Sequence, residues 1–176
     1  MTILQPVIGS MFDVFSSVYS NMVPALEGLS LNWNHFLGFL GLGMLGLGLS
    51  GSAIGLAIAG SAVAGMREEK RGLGLAVSVL PGTQGLYSFV VGILLVQGLG
   101  GNFAKIPPEA FLKVFAAGTV TGIACLFSGW FQGVVCAAGI KSINQEKMGV
   151  GTAFLLAVLP EFYAILSFVL AVMWKP

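Results

Sequence analysis

The chain has 176 residues, 56% of them hydrophobic and only 9% charged, with a net charge of +1 and a mean hydropathy of +0.94. Soluble domains carry about 25% charged residues, so this composition belongs to an integral membrane protein, and it offers no basic surface for nucleic acid. The length admits four or five membrane helices and excludes a large extramembrane domain.

Residues 1–26 carry apolar side chains at Leu4, Val7, Ile8, Met11, Phe12, Phe15, Val18, Tyr19 and Met22. Gln5, Gly9, Asp13, Ser16, Ser17 and Ser20 fall between them. This is helical spacing with one apolar face. No basic residue precedes it, so it makes a poor signal peptide, and Asp13 argues against a fifth span. It reads as an amphipathic helix on the outer membrane surface, an extension over residues 1–30.

Charge-free intervals mark the spans that follow. No Asp, Glu, Lys or Arg occurs from Gly28 to Met66, from Gly72 to Ala104, or from Val114 to Ile140. Four membrane helices are predicted at about Phe36–Met66, Leu73–Gly98, Leu112–Ile143 and Met148–Trp174. They form a first hairpin over residues 31–105 and a second over 106–176. Arg67, Lys70, Arg71, Lys141 and Lys147 lie in the loops after the first and third helices. Lys105, Lys113 and Lys175 lie on the opposite side. The bias puts loops 67–71 and 141–147 in the cytoplasm and both termini outside.

The fourth span holds the most informative residue. Glu161 is the single charged side chain between Met148 and Trp174, with thirteen uncharged residues on either side. A carboxylate at mid-bilayer costs about 2.5–3.5 kcal/mol on insertion scales and marks a functional site by default. Few other strongly polar groups share its depth: Thr83, Gln84 and Tyr87 on the second helix, Gln132 on the third, and Tyr163 beside Glu161. Pro81 and Pro160 each remove a backbone donor and free a carbonyl. One carboxylate, two amide oxygens, a hydroxyl and a carbonyl form a cage of net charge −1. Hard cations take such oxygen ligands, and one Na+ would neutralise it. A proton would do so too, but needs neither glutamine nor threonine.

The chain also repeats itself. Leu49-Ser50-Gly51 with Gly55 and Ala59 parallels Phe127-Ser128-Gly129 with Gly133 and Ala137. Val79-Leu80-Pro81 parallels Val158-Leu159-Pro160, at offsets of 78 and 79 residues. The reading is a duplicated parallel hairpin in which Glu161 falls opposite Gly82 and Gln132 opposite Ile54. The small residues spaced by four allow close helix packing.

Other motifs fail their context. Gly41-Leu42-Gly43-Met44-Leu45-Gly46 matches a dinucleotide fingerprint but follows no strand. His35 has no carboxylate or thiol beside it in sequence and reads as interfacial. Cys125 and Cys136 are 11 residues apart, about three turns on one helix, too far to pair. They read as small buried hydrophobes. No nucleophile elbow, P-loop or zinc spacing appears, so no enzyme is expected.

Leu80-Pro81-Gly82-Thr83-Gln84-Gly85-Leu86-Tyr87, Phe127-Ser128-Gly129 with Gln132-Gly133, and Pro160-Glu161 with Tyr163-Ala164-Ile165-Leu166 resemble the rotor-ring proteolipids of bacterial V-type ATPases. The likeness is greatest to the K, or c-type, subunits of the sodium-transporting kind, from about Phe39 onward. The resemblance implies an all-α membrane protein that assembles as a homo-oligomeric ring. It implies Na+ as the transported ion, with no organic cofactor. The implied ligands are the Glu161 carboxylate, the Gln132 and Gln84 oxygens, the Thr83 hydroxyl and the Leu80 carbonyl, with Tyr87 holding the glutamate. It also implies partners: a stator subunit bearing an arginine, central-stalk subunits and the surrounding bilayer. The alternatives are the same rotor carrying H+, a small stand-alone cation transporter, and a structural tetraspan protein. Many transporters use inverted repeats, whereas this repeat is parallel.

Overall fold

A computed structural model describes residue 16, residues 33–100 and residues 106–176. The amphipathic helix expected over residues 1–30 lies outside the described residues, Ser16 excepted.

The described elements are helices: α1 Trp33–Ala64, α2 Glu68–Ser78, a 3-10 turn Leu80–Gly82, α3 Thr83–Leu99, α4 Pro108–Asn144 and α5 Val150–Met173. They make four stretches long and apolar enough to cross a membrane, α2 and α3 together forming the second. In hydrocarbon the backbone must satisfy its own hydrogen bonds. That requirement outweighs the weak helix propensity of glycine, about 1 kcal/mol per residue in water, and α1 stays helical through its many glycines.

Two boundaries differ from the sequence reading. The second span begins at Glu68, taking in the charged residues up to Arg71. Glu68 and Glu69 stand in its first turn, where the helix dipole favours negative charge. The third span begins at Pro108, because proline's missing N–H costs nothing at a helix start. The two internal prolines also part company. Pro81 sits in the 3-10 turn that separates α2 from α3, whereas α5 continues unbroken through Pro160. Around Pro160, α4 supplies side-chain donors: Ser128 Oγ to the Pro160 carbonyl at 2.7 Å and Gln132 Nε2 to the Ala157 carbonyl at 2.9 Å.

Contacts divide the chain into residues 1–36 and residues 37–176. In the first, the rings of Trp33 and Phe36 stack at 5.3 Å. In the second, α1 and α4 meet along a glycine seam. Gly41 faces Gly118, Gly51 faces Gly129 and Gly55 faces Gly133. The partners stay 77–78 residues apart, so the two helices run parallel. A Cβ at Gly51 or Gly133 would overlap the facing backbone. α3 and α5 also pack on α4, each antiparallel to it, and α3 touches α1 as well. Two apolar clusters fill the interior. One gathers Leu95, Leu99, Phe111 and Val114; the other gathers Val63, Val77, Cys136 and Ile140. The buried polar side chains of interest lie between them.

At one end the two interhelical loops are tied together. Glu146 Oε1 accepts from Lys70 Nζ at 2.6 Å and pairs with Arg67 Nη1 at 3.5 Å. The Arg67 amide donates to Asn144 Oδ1 at 3.0 Å. Glu146 takes a left-handed backbone, φ 61°. The hydrogen bond from Lys70, with the charges of Lys70 and Arg67, holds its carboxyl below the usual carboxylate range.

Candidate ion-binding site

Glu161 lies on α5 and is 9% exposed. Its Oε1 accepts from the Tyr87 hydroxyl at 2.8 Å, and its Oε2 accepts from Gln132 Nε2 at 3.2 Å. Tyr87 comes from α3 and Gln132 from α4, so three helices converge on one carboxylate. Gln132 Oε1 accepts from Gln84 Nε2 at 2.6 Å, and the same Gln84 nitrogen donates to Ser128 Oγ at 3.2 Å. Both glutamines are fully buried.

Local sequence explains why these groups meet. The 3-10 turn at Leu80–Gly82 ends where α3 begins, which sets Thr83, Gln84 and Tyr87 on the first turns of α3. Gln84 faces α4, while Tyr87, three residues on, reaches α5. Ser128 and Gln132 are one turn apart on α4 and share a face. Gly85 lets α1 approach, its amide donating to Ser52 Oγ at 2.6 Å.

Thr83 Oγ1 donates to the Leu80 carbonyl at 3.1 Å. The Thr83 side chain also neighbours the Tyr87 hydroxyl. The geometry therefore brings Glu161, Gln132, Gln84 and Tyr87 into one hydrogen-bonded chain, with Thr83 and Leu80 joined to it through Tyr87. Tyr163 departs from the expectation. It is 69% exposed, because it lies two residues, or about 200° of helix, from Glu161. Ser128 stands out in the sequence only as a repeat marker, yet it belongs to this network. Its one-turn spacing from Gln132 is the signal that places it there.

The site has two electrostatic features. Among the described residues, the ion pairs are those of Glu146, and Glu161 has no cationic partner. Gln84 Oε1 is buried without a hydrogen-bond donor, and such an acceptor costs about 1–3 kcal/mol to leave unmade. Turning over the Gln132 amide would set its oxygen beside the carboxylate. A buried oxygen without a donor, in a network that holds a carboxylate with no cationic partner, is what a cation stabilises. Among the described residues no group of three His, Cys, Asp or Glu could hold a transition metal.

Residues 115–174, which contain Gln132 and Glu161, match the family model for the C subunit of ATP synthase. Over those residues the chain is similar to the c-type subunits that the family model describes. It is 39% identical over 103 residues to V-type sodium ATPase subunit K of Enterococcus hirae, covering 58% of this chain and 64% of that protein. It is 36% identical over 104 residues to A-type ATP synthase subunit K of Methanocaldococcus jannaschii, covering 59% of this chain and 44% of that one. The chain thus spans less than two thirds of the length of either relative. Four helices long and apolar enough to cross a membrane, together with these likenesses, make the chain a multi-pass membrane protein.

Proposed function

We propose that this proteolipid is a rotor-ring subunit of a V-type or A-type rotary ATPase, and that each copy carries one Na+ at Glu161. The observation that carries the Na+ reading is the buried, donorless Gln84 Oε1, on the side chain that hydrogen-bonds Gln132. A proton on Glu161 has no use for that atom, whereas a hard cation does. The name of the Enterococcus hirae relative points the same way. The ligands are the Glu161 carboxylate, the Gln132 and Gln84 side-chain oxygens, the Thr83 hydroxyl and the Leu80 carbonyl. The Thr83 hydrogen turns away from Leu80 when the ion enters, since a hydroxyl rotates freely.

Charge sets the mechanism. An empty site leaves Glu161 ionised in hydrocarbon, which is costly. An occupied site is neutral and crosses the lipid-facing part of the rotation. A stator arginine then competes for the carboxylate and displaces the ion. Central-stalk subunits couple the ring to ATP chemistry, so this chain translocates and does not catalyse. One carboxylate per four helices gives one ion per copy and few ions per turn, which favours pumping against a steep gradient. The basic loops 67–71 and 141–147 face the cytoplasm, and the paired hairpins descend from a duplication. The H+ reading draws on one observation, that Tyr87 and Gln132 already hold the carboxylate.

The test is equilibrium binding of radioactive sodium to the purified oligomer. One Na+ per chain, lost in Glu161→Gln, is expected. Saturable binding that survives Glu161→Gln, or no binding to the parent, removes the Na+ reading.

A further inference from the structure

The second apolar stretch is broken part-way along by the 3-10 turn Leu80–Gly82, and α3 starts afresh beyond it. The break supplies half of the candidate site. The Leu80 carbonyl lies in the turn, and Thr83, Gln84 and Tyr87 follow on the first turns of α3.

A helix start inside hydrocarbon is unfavourable. The first amides of an α-helix have no partner within it, and lipid offers none. Two of these amides turn back into the break: Gly82 to the Val79 carbonyl at 3.1 Å, and Thr83 to the Leu80 carbonyl. Gly85, the third residue of α3, is buried and needs another acceptor. The residue before a helix commonly caps this amide with a side-chain oxygen, from an extended backbone. Here that residue is Gly82, which has no side chain and holds helical dihedrals, φ −74° and ψ −21°. The local chain therefore supplies no cap.

A different helix supplies it. The Gly85 amide donates to Ser52 Oγ on α1 at 2.6 Å, and Ser52 is 5% exposed. On the same face of α1, a Cβ at Gly48 would strike Ser88 and one at Gly55 would strike Pro81. The backbones lie close along this face, with the Ser52 hydroxyl set between the two glycines. Ser50 is exposed and serves its own helix, donating to the Gly46 carbonyl at 3.0 Å. The second half of the chain offers a contrast. Trp130 stands 78 residues past Ser52, and it is 43% exposed. Around Pro160 the groups supplied by α4 are donors to carbonyls, and α5 runs on unbroken.

We propose that Ser52 is a positioning residue for the ion site, acting through the start of α3. By accepting from Gly85 it keeps the Leu80 carbonyl in the 3-10 turn. It also keeps Thr83, Gln84 and Tyr87 in the register that meets Gln132 and Glu161. Without that hydroxyl the simplest acceptor for the Gly85 amide is the Pro81 carbonyl, four residues back, as in a continued α-helix. Winding the turn that way carries the Leu80 carbonyl and the Thr83 hydroxyl off their present line. The effect on ion binding rests on the Na+ reading, whereas the cap itself does not.

The experiment compares Ser52→Ala, Ser52→Cys, Ser52→Thr and Ser50→Ala in the full chain, as purified oligomers. Hydrogen exchange read by mass spectrometry reports the Gly85 amide, and equilibrium binding of radioactive sodium reports the site. Ser52→Ala speeds exchange within residues 83–87 several-fold and leaves residues 112–143 as slow as in the parent. It weakens sodium binding roughly tenfold, as one lost hydrogen bond does, still at one Na+ per chain. Ser52→Cys, close in shape but a weak acceptor, shows the same loss should the alanine variant fail to assemble. Ser52→Thr keeps the hydroxyl and, like Ser50→Ala, keeps the parent's exchange and affinity. Parent-like exchange and affinity in Ser52→Ala overturn the proposal. Faster exchange in every span, or equal weakening by Ser50→Ala, overturns it as well. A parent oligomer that binds no sodium removes the Na+ reading, and exchange within residues 83–87 then decides the cap alone.

Discussion

Replacing Gln132 by isoleucine separates an ion ligand from a packing residue. Gln132 is fully buried, donates to Glu161 Oε2 at 3.2 Å and to the Ala157 carbonyl at 2.9 Å, and accepts from Gln84 at 2.6 Å. Isoleucine stands 78 residues earlier at Ile54, and its apolar side chain suits a buried position on a membrane helix. Gln84 keeps Ser128 Oγ as a partner, and the carboxylate keeps Tyr87. Folding therefore loses two neutral hydrogen bonds worth about 1 kcal/mol each and one to the carboxylate worth about 1.5–3 kcal/mol, partly offset by buried apolar surface. Ion binding loses a contact to a charged group, worth about 1.5–3 kcal/mol, or roughly tenfold to more than a hundredfold in Kd. The assay is sodium binding to the purified oligomer, with native mass spectrometry for assembly. An intact oligomer that binds sodium as tightly as the parent would refute the cage. Gln132 would then be a packing residue.

Tyr87→Phe removes the 2.8 Å donor to Glu161 Oε1, and the oligomer should assemble normally while sodium dissociates faster in a filter-binding time course. Gly51→Leu forces a side chain into the backbone around Leu126, so folded protein should be absent from detergent extracts. Gly43→Leu, where a Cβ meets nothing, should be recovered folded. The Glu146 carboxyl is held low in the folded protein by Lys70 and Arg67, so its stabilising contribution is present at neutral pH. That contribution is lost as pH falls through the folded value, below the usual carboxylate range. Thermal unfolding of the parent and Glu146→Gln should therefore differ at pH 7 and converge at the acid end of a titration.

Charge-free intervals locate the four spans because a charge is costly in hydrocarbon wherever it falls, and only the ends of the spans differ in the structure. The starts at Glu68 and Pro108 escape that signal because helix dipoles and proline's helix-start preference act outside the apolar run. Glu161 and Gln132 stand out as polar residues inside apolar spans, and Gln84 and Tyr87 follow the same logic. Tyr163 fails that logic because depth alone does not say which face of a helix a residue occupies. Ser128 is hard to single out since serine is common in membrane helices and its role depends on the α5 carbonyl it meets. The difference between Pro81 and Pro160 is equally hidden. Only the packed structure reveals that Ser128 and Gln132 supply donors around the second proline and not the first.

The central claim is that Glu161 holds Na+ within a cage of oxygen ligands. The most direct measurement is the rate at which a hydrophobic carbodiimide modifies Glu161 in the assembled oligomer, at fixed pH, as sodium is raised from zero to saturation. Carbodiimides attack the protonated carboxyl, and a bound cation keeps the group ionised and coordinated. The account predicts that sodium slows modification saturably, and that Gln132→Ile shifts the protective concentration upward by roughly tenfold to a hundredfold, following the ligand loss above. Equal rates at zero and saturating sodium would contradict it.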